Sequence, residues 1–267
     1  MSRPTVAPLC FGLWALFAAT FAYANGFFQS VTGDVKSAAG SAAPATVARD
    51  QRVLPGTTIT TGPGGQAIIR LDDGQAIVLH ENTEFRINEF SFDKDKPQND
   101  NIALQLLKGA LRTVTGLVGV RNPSKFGLYT VQATIGIRGT DFMVALVNPA
   151  YLSVLQGAIS ATNGAGTAVF GVGATASIAS ATALAVAIPA SALPASVAQA
   201  FSQLSAINLA AGAQAATEAA EGGLGTGAIA AGAAILGIAA VAAANKSDDV
   251  VGTTGSTGTG TGAIGSP

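Results

Sequence analysis

The chain has 267 residues, a formal net charge of −1, 49% hydrophobic residues and 33 glycines. Only 11% of it is charged, against about 25% in an ordinary domain. A charge-rich disordered protein is therefore excluded, and without a basic excess binding to nucleic acid through the phosphate backbone is not expected. One His, one Cys and two Met cannot assemble the ligand sets of zinc, haem or iron–sulfur centres, so no metal or cofactor is expected.

Residues 1–24 read as a secretory signal peptide. Arg3 supplies the positive start, Leu9 to Phe21 is apolar, and Ala22-Tyr23-Ala24 places small residues at −3 and −1 of a cleavage site. The predicted mature chain begins at Asn25 without a cysteine, because Cys10 lies inside the removed segment. Its stability must then come from a packed core and not from disulfides.

From Phe27 to about Ile178 the text is that of strands. Ala67, Ile69 and Leu71 alternate with Gln66, Ile68 and Arg70, Asp73-Gly74 supplies a turn, and Ile77 and Leu79 resume the alternation. Further period-2 runs fall at Phe85/Ile87, Ile102/Leu104/Leu106 and Val131/Ala133/Ile135/Ile137. Pro55, Gly56, Gly62, Pro63, Gly64 and Gly65 punctuate the gaps. The class is all-β, and both an irregular solenoid-like and a sandwich-like architecture fit.

An internal similarity supports sharp strand bends. Leu104 to Leu111 (LQLLKGAL) matches Leu152 to Ile159 (LSVLQGAI) nearly position for position, and Val31-Thr32-Gly33-Asp34-Val35 is a shorter echo. Each sets a glycine between apolar residues, as at a corner where a side chain would obstruct the neighbouring backbone. The most distinctive segment is Thr134-Ile135-Gly136-Ile137-Arg138-Gly139-Thr140-Asp141-Phe142. An arginine inside an apolar run is costly unless its donors are satisfied, so Arg138 is predicted to fork onto backbone carbonyls or Asp141. The alternative is an exposed Arg138 that recognises a carboxylate or phosphate.

Of the 29 charged residues 24 lie at or before Asp141, and Phe142 to Thr217 carries none. Behind Pro194, the residues Val197, Phe201, Leu204 and Asn208 sit at helical spacing, which predicts an amphipathic helix or linker over 190–221. Residues 222–245 are uncharged and long enough to cross a bilayer, yet mostly Ala and Gly. A membrane-attaching helix and a soluble Ala/Gly-rich segment both remain open there. The Gly/Thr/Ser tail 246–267 is expected to be flexible.

No catalytic constellation stands out. His80-Glu81-Asn82-Thr83-Glu84 lacks the second histidine of a metalloprotease helix. Asp93, Asp95 and Asp100, among Lys94, Lys96 and Pro97, lack the spacing of a calcium loop and read as a solvated loop. An envelope polysaccharide-acting enzyme could use Asp72, Asp73, Glu81 or Glu84 as carboxylate pairs, but solvation around turns and at polar strand positions accounts for them.

Taken in order, Ser30 to Val35, Ile59-Thr60-Thr61-Gly62, Gly65-Gln66-Ala67 to Asp73-Gly74, Leu107-Lys108-Gly109, Ile137-Arg138-Gly139-Thr140-Asp141-Phe142 and Val154-Leu155-Gln156-Gly157 resemble the FecR domain, the periplasmic part of ferric-citrate-type regulators. The resemblance covers about 27–178. It implies an all-β, solenoid-like periplasmic domain without catalytic residues, in which Gly62, Gly74, Gly109, Arg138, Gly139, Thr140, Asp141, Phe142 and Gly157 are motif positions of structural role. Classical members carry a cytoplasmic anti-sigma region before a membrane helix; here a signal peptide directly precedes the domain. The expected function is thus that of an exported, non-enzymatic interaction or sensing module with an envelope protein partner, the alternative being a surface or extracellular scaffold.

Overall fold

The computed structural model describes residues 26–209. The predicted signal segment 1–24, residues 210–221, the membrane candidate 222–245 and the tail 246–267 lie outside the described residues. Among the described residues no helix is long and apolar enough to cross a membrane.

The strands in chain order are β1 (Gly26–Thr32), β2 (Val35–Ala39), β3 (Ala45–Thr46), β4 (Arg52–Val53), β5 (Thr57–Thr61), β6 (Gln66–Leu71), β7 (Ala76–Leu79), β8 (Glu84–Ser91), β9 (Asn101–Val114), β10 (Phe126–Tyr129), β11 (Thr134–Leu146), β12 (Ala150–Asn163), β13 (Gly166–Gly171), β14 (Thr175–Ile178) and β15 (Val186–Ile188). Two α-helices accompany them, α1 (Leu117–Arg121) and α2 (Ala195–Ala206). The all-β class read from the sequence is the observed one. Every strand pairing among the described residues is antiparallel except β9 with β10, which needs the crossover that α1 provides. Of the two architectures left open by the sequence, this ladder pattern is that of the sandwich.

Three long strands build both layers. Residues 101–108 of β9 lie between β8 and β10, whereas 109–114 lie between β7 and β11. The same division occurs in β11, where 134–135 pair with β10 and 141–146 with β9, and in β12, where 158–163 pair with β13 and 150–153 with β14. One layer thus runs β3-β2-β5-β8-β9-β10-β11-β12-β13, and the other β4-β1-β6-β7-β9-β11-β12-β14-β15. A single apolar core, including Phe28, Ile59, Phe85, Leu104, Phe142 and Leu152, fills the space between them. Strands that switch layers at a bend are a standard device for closing such a sandwich.

The bends fall on glycines, two of them the echoed Gly109 and Gly157. Gly109, Gly139 and Gly157 have φ of +85°, +57° and +73°, a region that suits glycine. Each corner also reverses which parity of residue faces inward. In β9, Ile102, Leu104 and Leu106 are buried before it and Leu111 and Thr113 after it. In β11 the inward set changes from Ile135 and Ile137 to Thr140, Phe142 and Val144. One irregular residue shifts the side-chain phase, as a bulge does.

The corners also touch. A Cβ on Gly157 would overlap the Gly139 carbonyl oxygen and reach within 2.7 Å of the Arg138 carbonyl oxygen. A Cβ on Gly109 would come within 2.5 Å of Thr83 Cα.

Helix α2 covers the outer face of the second layer. Val197, Ala200, Phe201 and Leu204 pack on Val78 of β7, Ala110 of β9, Met143 and Ala145 of β11 and Tyr151 of β12. This explains why all four residues of β7 are buried, a pattern that a half-solvated strand would not show. Each buried Val, Leu or Phe contributes about 1.5–3 kcal/mol relative to exposure. The helix stops at Ala206, short of the Glu221 read from the sequence, because Ile207 turns to extended backbone (ψ 120°). Asn208 consequently lies beyond it.

Gly157→Ala is expected to lower unfolding free energy by about 2–4 kcal/mol, since strain at positive φ adds to overlap with backbone that cannot retreat. Gly171→Ala, where a Cβ would meet nothing within 4 Å, is expected to stay within about 0.5 kcal/mol. Urea denaturation of both variants checks this.

Candidate functional site: the Arg138–Phe142 corner

The segment around Gly139 divides its residues between the interior and solvent. Phe142 is fully buried in the core. Thr140 is buried and tied to Thr115: the Thr115 hydroxyl donates to the Thr140 carbonyl at 2.9 Å, the Thr140 amide donates to the Thr115 hydroxyl at 3.0 Å, and the Thr115 amide donates to the Thr140 carbonyl at 2.9 Å. These bonds pin the chain leaving the corner to the end of β9.

The Arg138 side chain is exposed and, among the described residues, makes no hydrogen bond or ion pair. The prediction that it forks onto Asp141 or onto carbonyls is therefore corrected. In antiparallel pairing it stands opposite Ala158, with its side chain open to solvent at the outer side of the bend.

The arginine that does fork onto Asp141 is Arg112, which the sequence reading missed. Its Nε donates to Asp141 Oδ1 at 2.9 Å and its Nη2 to Asp141 Oδ2 at 2.6 Å, with only 12% and 13% of the two side chains exposed. The two residues are diagonal neighbours on adjacent strands, since Arg112 opposes Met143 and Val114 opposes Asp141. The remaining nitrogen, Nη1, donates to the carbonyls of Leu204, Ser205 and Ile207 at 3.1, 3.2 and 2.9 Å. These carbonyls belong to the last turn and exit of α2, where a helix leaves acceptors unpaired and its dipole favours a cation. Arg70 of β6 repeats the arrangement one step on. It donates to the Leu209 carbonyl at 3.0 Å while its Nε and Nη2 hold Gln29 Oε1 at 3.3 and 3.2 Å. A sequence signal existed, because Arg70 and Arg112 are outward positions of strands whose other outward residues, Ile68, Val78 and Ala110, are apolar and covered.

The remaining predicted glycines serve turns and close approaches. Gly62 accepts no side chain because a Cβ would lie 2.8 Å from Asp34 Oδ2, and its amide donates to the Asp34 carbonyl at 2.8 Å. Gly74 closes the β6–β7 turn, its amide donating to the Leu71 carbonyl at 2.9 Å. Gly109 and Gly157 are the corners described above.

The acidic residues do not converge on one centre. Asp72 and Asp73 precede β7 and Glu81 and Glu84 follow it, so a strand of four residues, about 13 Å long, separates the pairs. Asp73 is buried and accepts from the amides of Gln75 at 3.0 Å and Val118 at 3.3 Å, capping α1 from another part of the chain. Burial pushes its carboxyl above the usual range, and these amides oppose the shift. Glu81 accepts from the Gly64 amide at 2.6 Å. His80 shares a hydrogen bond of 2.5 Å with Gln203 Oε1, joining the end of β7 to α2 beside a groove of about 330 Å³.

The loop 93–99 is largely exposed, as read from the sequence, but a second arginine fork corrects that reading at Asp100. The Asp100 side chain is fully buried, and Arg121 donates to its Oδ2 through Nε at 2.6 Å and to its Oδ1 through Nη2 at 2.9 Å. Arg121 also donates to the carbonyls of Asp93 and Lys94, and it lies over the Phe92 ring at 4.9 Å. Among the described residues no group of three His, Cys, Asp or Glu side chains is placed to hold a metal ion.

The family model for FecR protein matches residues 57–160, from β5 to the far half of β12, and includes Arg112 and the whole 138–142 corner. This segment is what the chain shares with that family. The strands β1 to β4 precede the match and β13 to α2 follow it. Two crystal structures of a proposed anti-sigma factor from Parabacteroides distasonis are similar at 18% identity and TM-score 0.40. Each alignment covers 49% of this chain and 58% of that one, so the present chain spans less than two thirds of that protein. No curated protein matches the chain.

Burial alone raises the Asp100 carboxyl, but the Arg121 guanidinium and the Asp93 amide outweigh it and hold the group below the usual carboxylate range. A lowered native pKa contributes stability above the unfolded value of about 3.9, lost as pH falls through the native one. Asp100→Asn is therefore expected to cost about 3 kcal/mol at pH 7, because it leaves Arg121 without its counter-charge. The gap from the unsubstituted protein should narrow at pH 3. Urea melts at the two pH values measure it.

Proposed function

We propose that this protein is an exported, non-enzymatic regulatory module that binds an envelope protein partner and that Arg138 is part of the contact. The observation that carries the reading is the division of labour at the corner. Asp141, Thr140 and Phe142 are consumed by Arg112, Thr115 and the core, while Arg138 stands exposed and has no internal role to explain it. An exposed guanidinium on a rigid bend is pre-organised to fork onto a carboxylate of an incoming chain. The FecR domain match supports a regulatory class, and the signal-like residues 1–24 support export. The partner's chemistry at this point is a carboxylate-bearing protein surface.

Arg138→Glu tests the reading, since a surface substitution without internal contacts should change stability by no more than about 0.5 kcal/mol. The expected outcome is that cross-linking in intact cells captures a partner with the unsubstituted protein and loses it with Arg138→Glu at unchanged thermal stability. Equal capture by both proteins removes Arg138 from the contact. Capture of nothing across several growth conditions removes the partner.

A further inference from the structure

Every open sheet has end strands, and natural proteins protect them with short length, charge, proline or cover. Among the described residues four strands have a single neighbour: β3, β4, β13 and β15. Three of them are blunted. β3 has two residues and follows Pro44; β4 has two residues, one of them Arg52, behind Arg49 and Asp50; β15 has three residues and ends at Pro189. The fourth is different. β13 is six residues long, Gly166–Gly171, and pairs only with β12. No charge occurs from Phe142 to Thr217 and no proline between Pro149 and Pro189. Its outward Val169 is 69% exposed, and Val172 just beyond is 70% exposed.

We infer that β13 is a self-association edge, on which a second copy of this chain adds its own β13 antiparallel across a two-fold axis. The sequence of the strand fits itself. With Ala168 on the axis, Thr167 of each copy opposes Val169 of the other on the outer face, giving two β-branched cross-strand pairs. Even-numbered residues then face even-numbered ones, which keeps Phe170, buried in the core, on the inner side in both copies. An edge without charge gives no preference for a charged partner strand and no like-charge repulsion against its own copy. The two first layers become one continuous sheet, and the two-fold contact closes without leaving a new edge there. This inference goes beyond the proposed function and does not depend on Arg138.

Sedimentation equilibrium of the full chain tests it with two lysine substitutions. Val169→Lys puts a solvated charge on the edge, and Val131→Lys does so at a valine 73% exposed in the β10–β11 turn. The expected result is a dimer for the unsubstituted chain and for Val131→Lys, with a dissociation constant raised by about tenfold or more in Val169→Lys. Circular dichroism should show all three equally folded. A monomer for the unsubstituted chain overturns the proposal, whether β13 is then bare or covered by residues 210–267. A dimer that Val169→Lys leaves intact overturns it too.

Discussion

Arg112 is the side chain on which the second layer and its covering helix both depend. Its guanidinium fork closes on Asp141 while its third nitrogen collects three carbonyls at the end of α2. A lysine could not replace it, because one ammonium cannot present a planar fork and a separate donor in fixed directions. Charge balance explains why the ion pair tolerates low exposure. The carboxylate satisfies two donors, and the carbonyls of the helix end satisfy another while meeting a cation at the negative end of the dipole. The apolar part of the same outward face, Val78, Ala110, Met143 and Ala145, lies next to it and binds Val197, Phe201 and Leu204. Apolar area supplies the helix with affinity, and Arg112 fixes where along the sheet it ends.

The corner glycines make that arrangement possible. Bending β9 and β11 at Gly109 and Gly139 sends their second halves into the other layer and reverses their inward parity. Without the phase change, Arg112 and Asp141 would point into the core, and Thr113 and Phe142 would point out. The nearness of the Gly157 Cα to the Arg138 and Gly139 carbonyls locks two of the bends together. The exposed position of Arg138 is therefore a product of the backbone and not a packing accident.

Much of this architecture was legible in the sequence. The alternation over Gln66–Leu71 and the Asp73-Gly74 turn gave the β6–β7 hairpin, and the echo of LQLLKGAL in LSVLQGAI marked two corners. The phase reversal was not legible, because period-2 reasoning runs each strand through without interruption. Arg112 escaped notice for a related reason: an arginine at an outward strand position looks solvated until a helix from 90 residues later covers that face. The glycine-flanked Arg138 drew attention instead and proved to be exposed. Asp100 was hidden by its company of lysines and aspartates, which suggested a solvated loop. The end of α2 was not legible because Ala-rich sequence continues past Ala206 with no proline or glycine before Gly212, whereas Ile207 and Leu209 leave the helix to pack on the sheet.

The family-matched segment ends within β12, yet Arg112 reaches out of it to α2, so the helix is integrated into the hydrogen bonding of that segment. The most direct test is a double-mutant cycle between Arg112→Ala and Asp141→Ala, read by urea denaturation and by hydrogen exchange of the α2 amides. A coupling energy of about 1.5 kcal/mol or more, with α2 exchange accelerated by Arg112→Ala but less by Asp141→Ala, is the result predicted by a shared arginine. Additive losses with α2 protection unchanged in both single variants would contradict it.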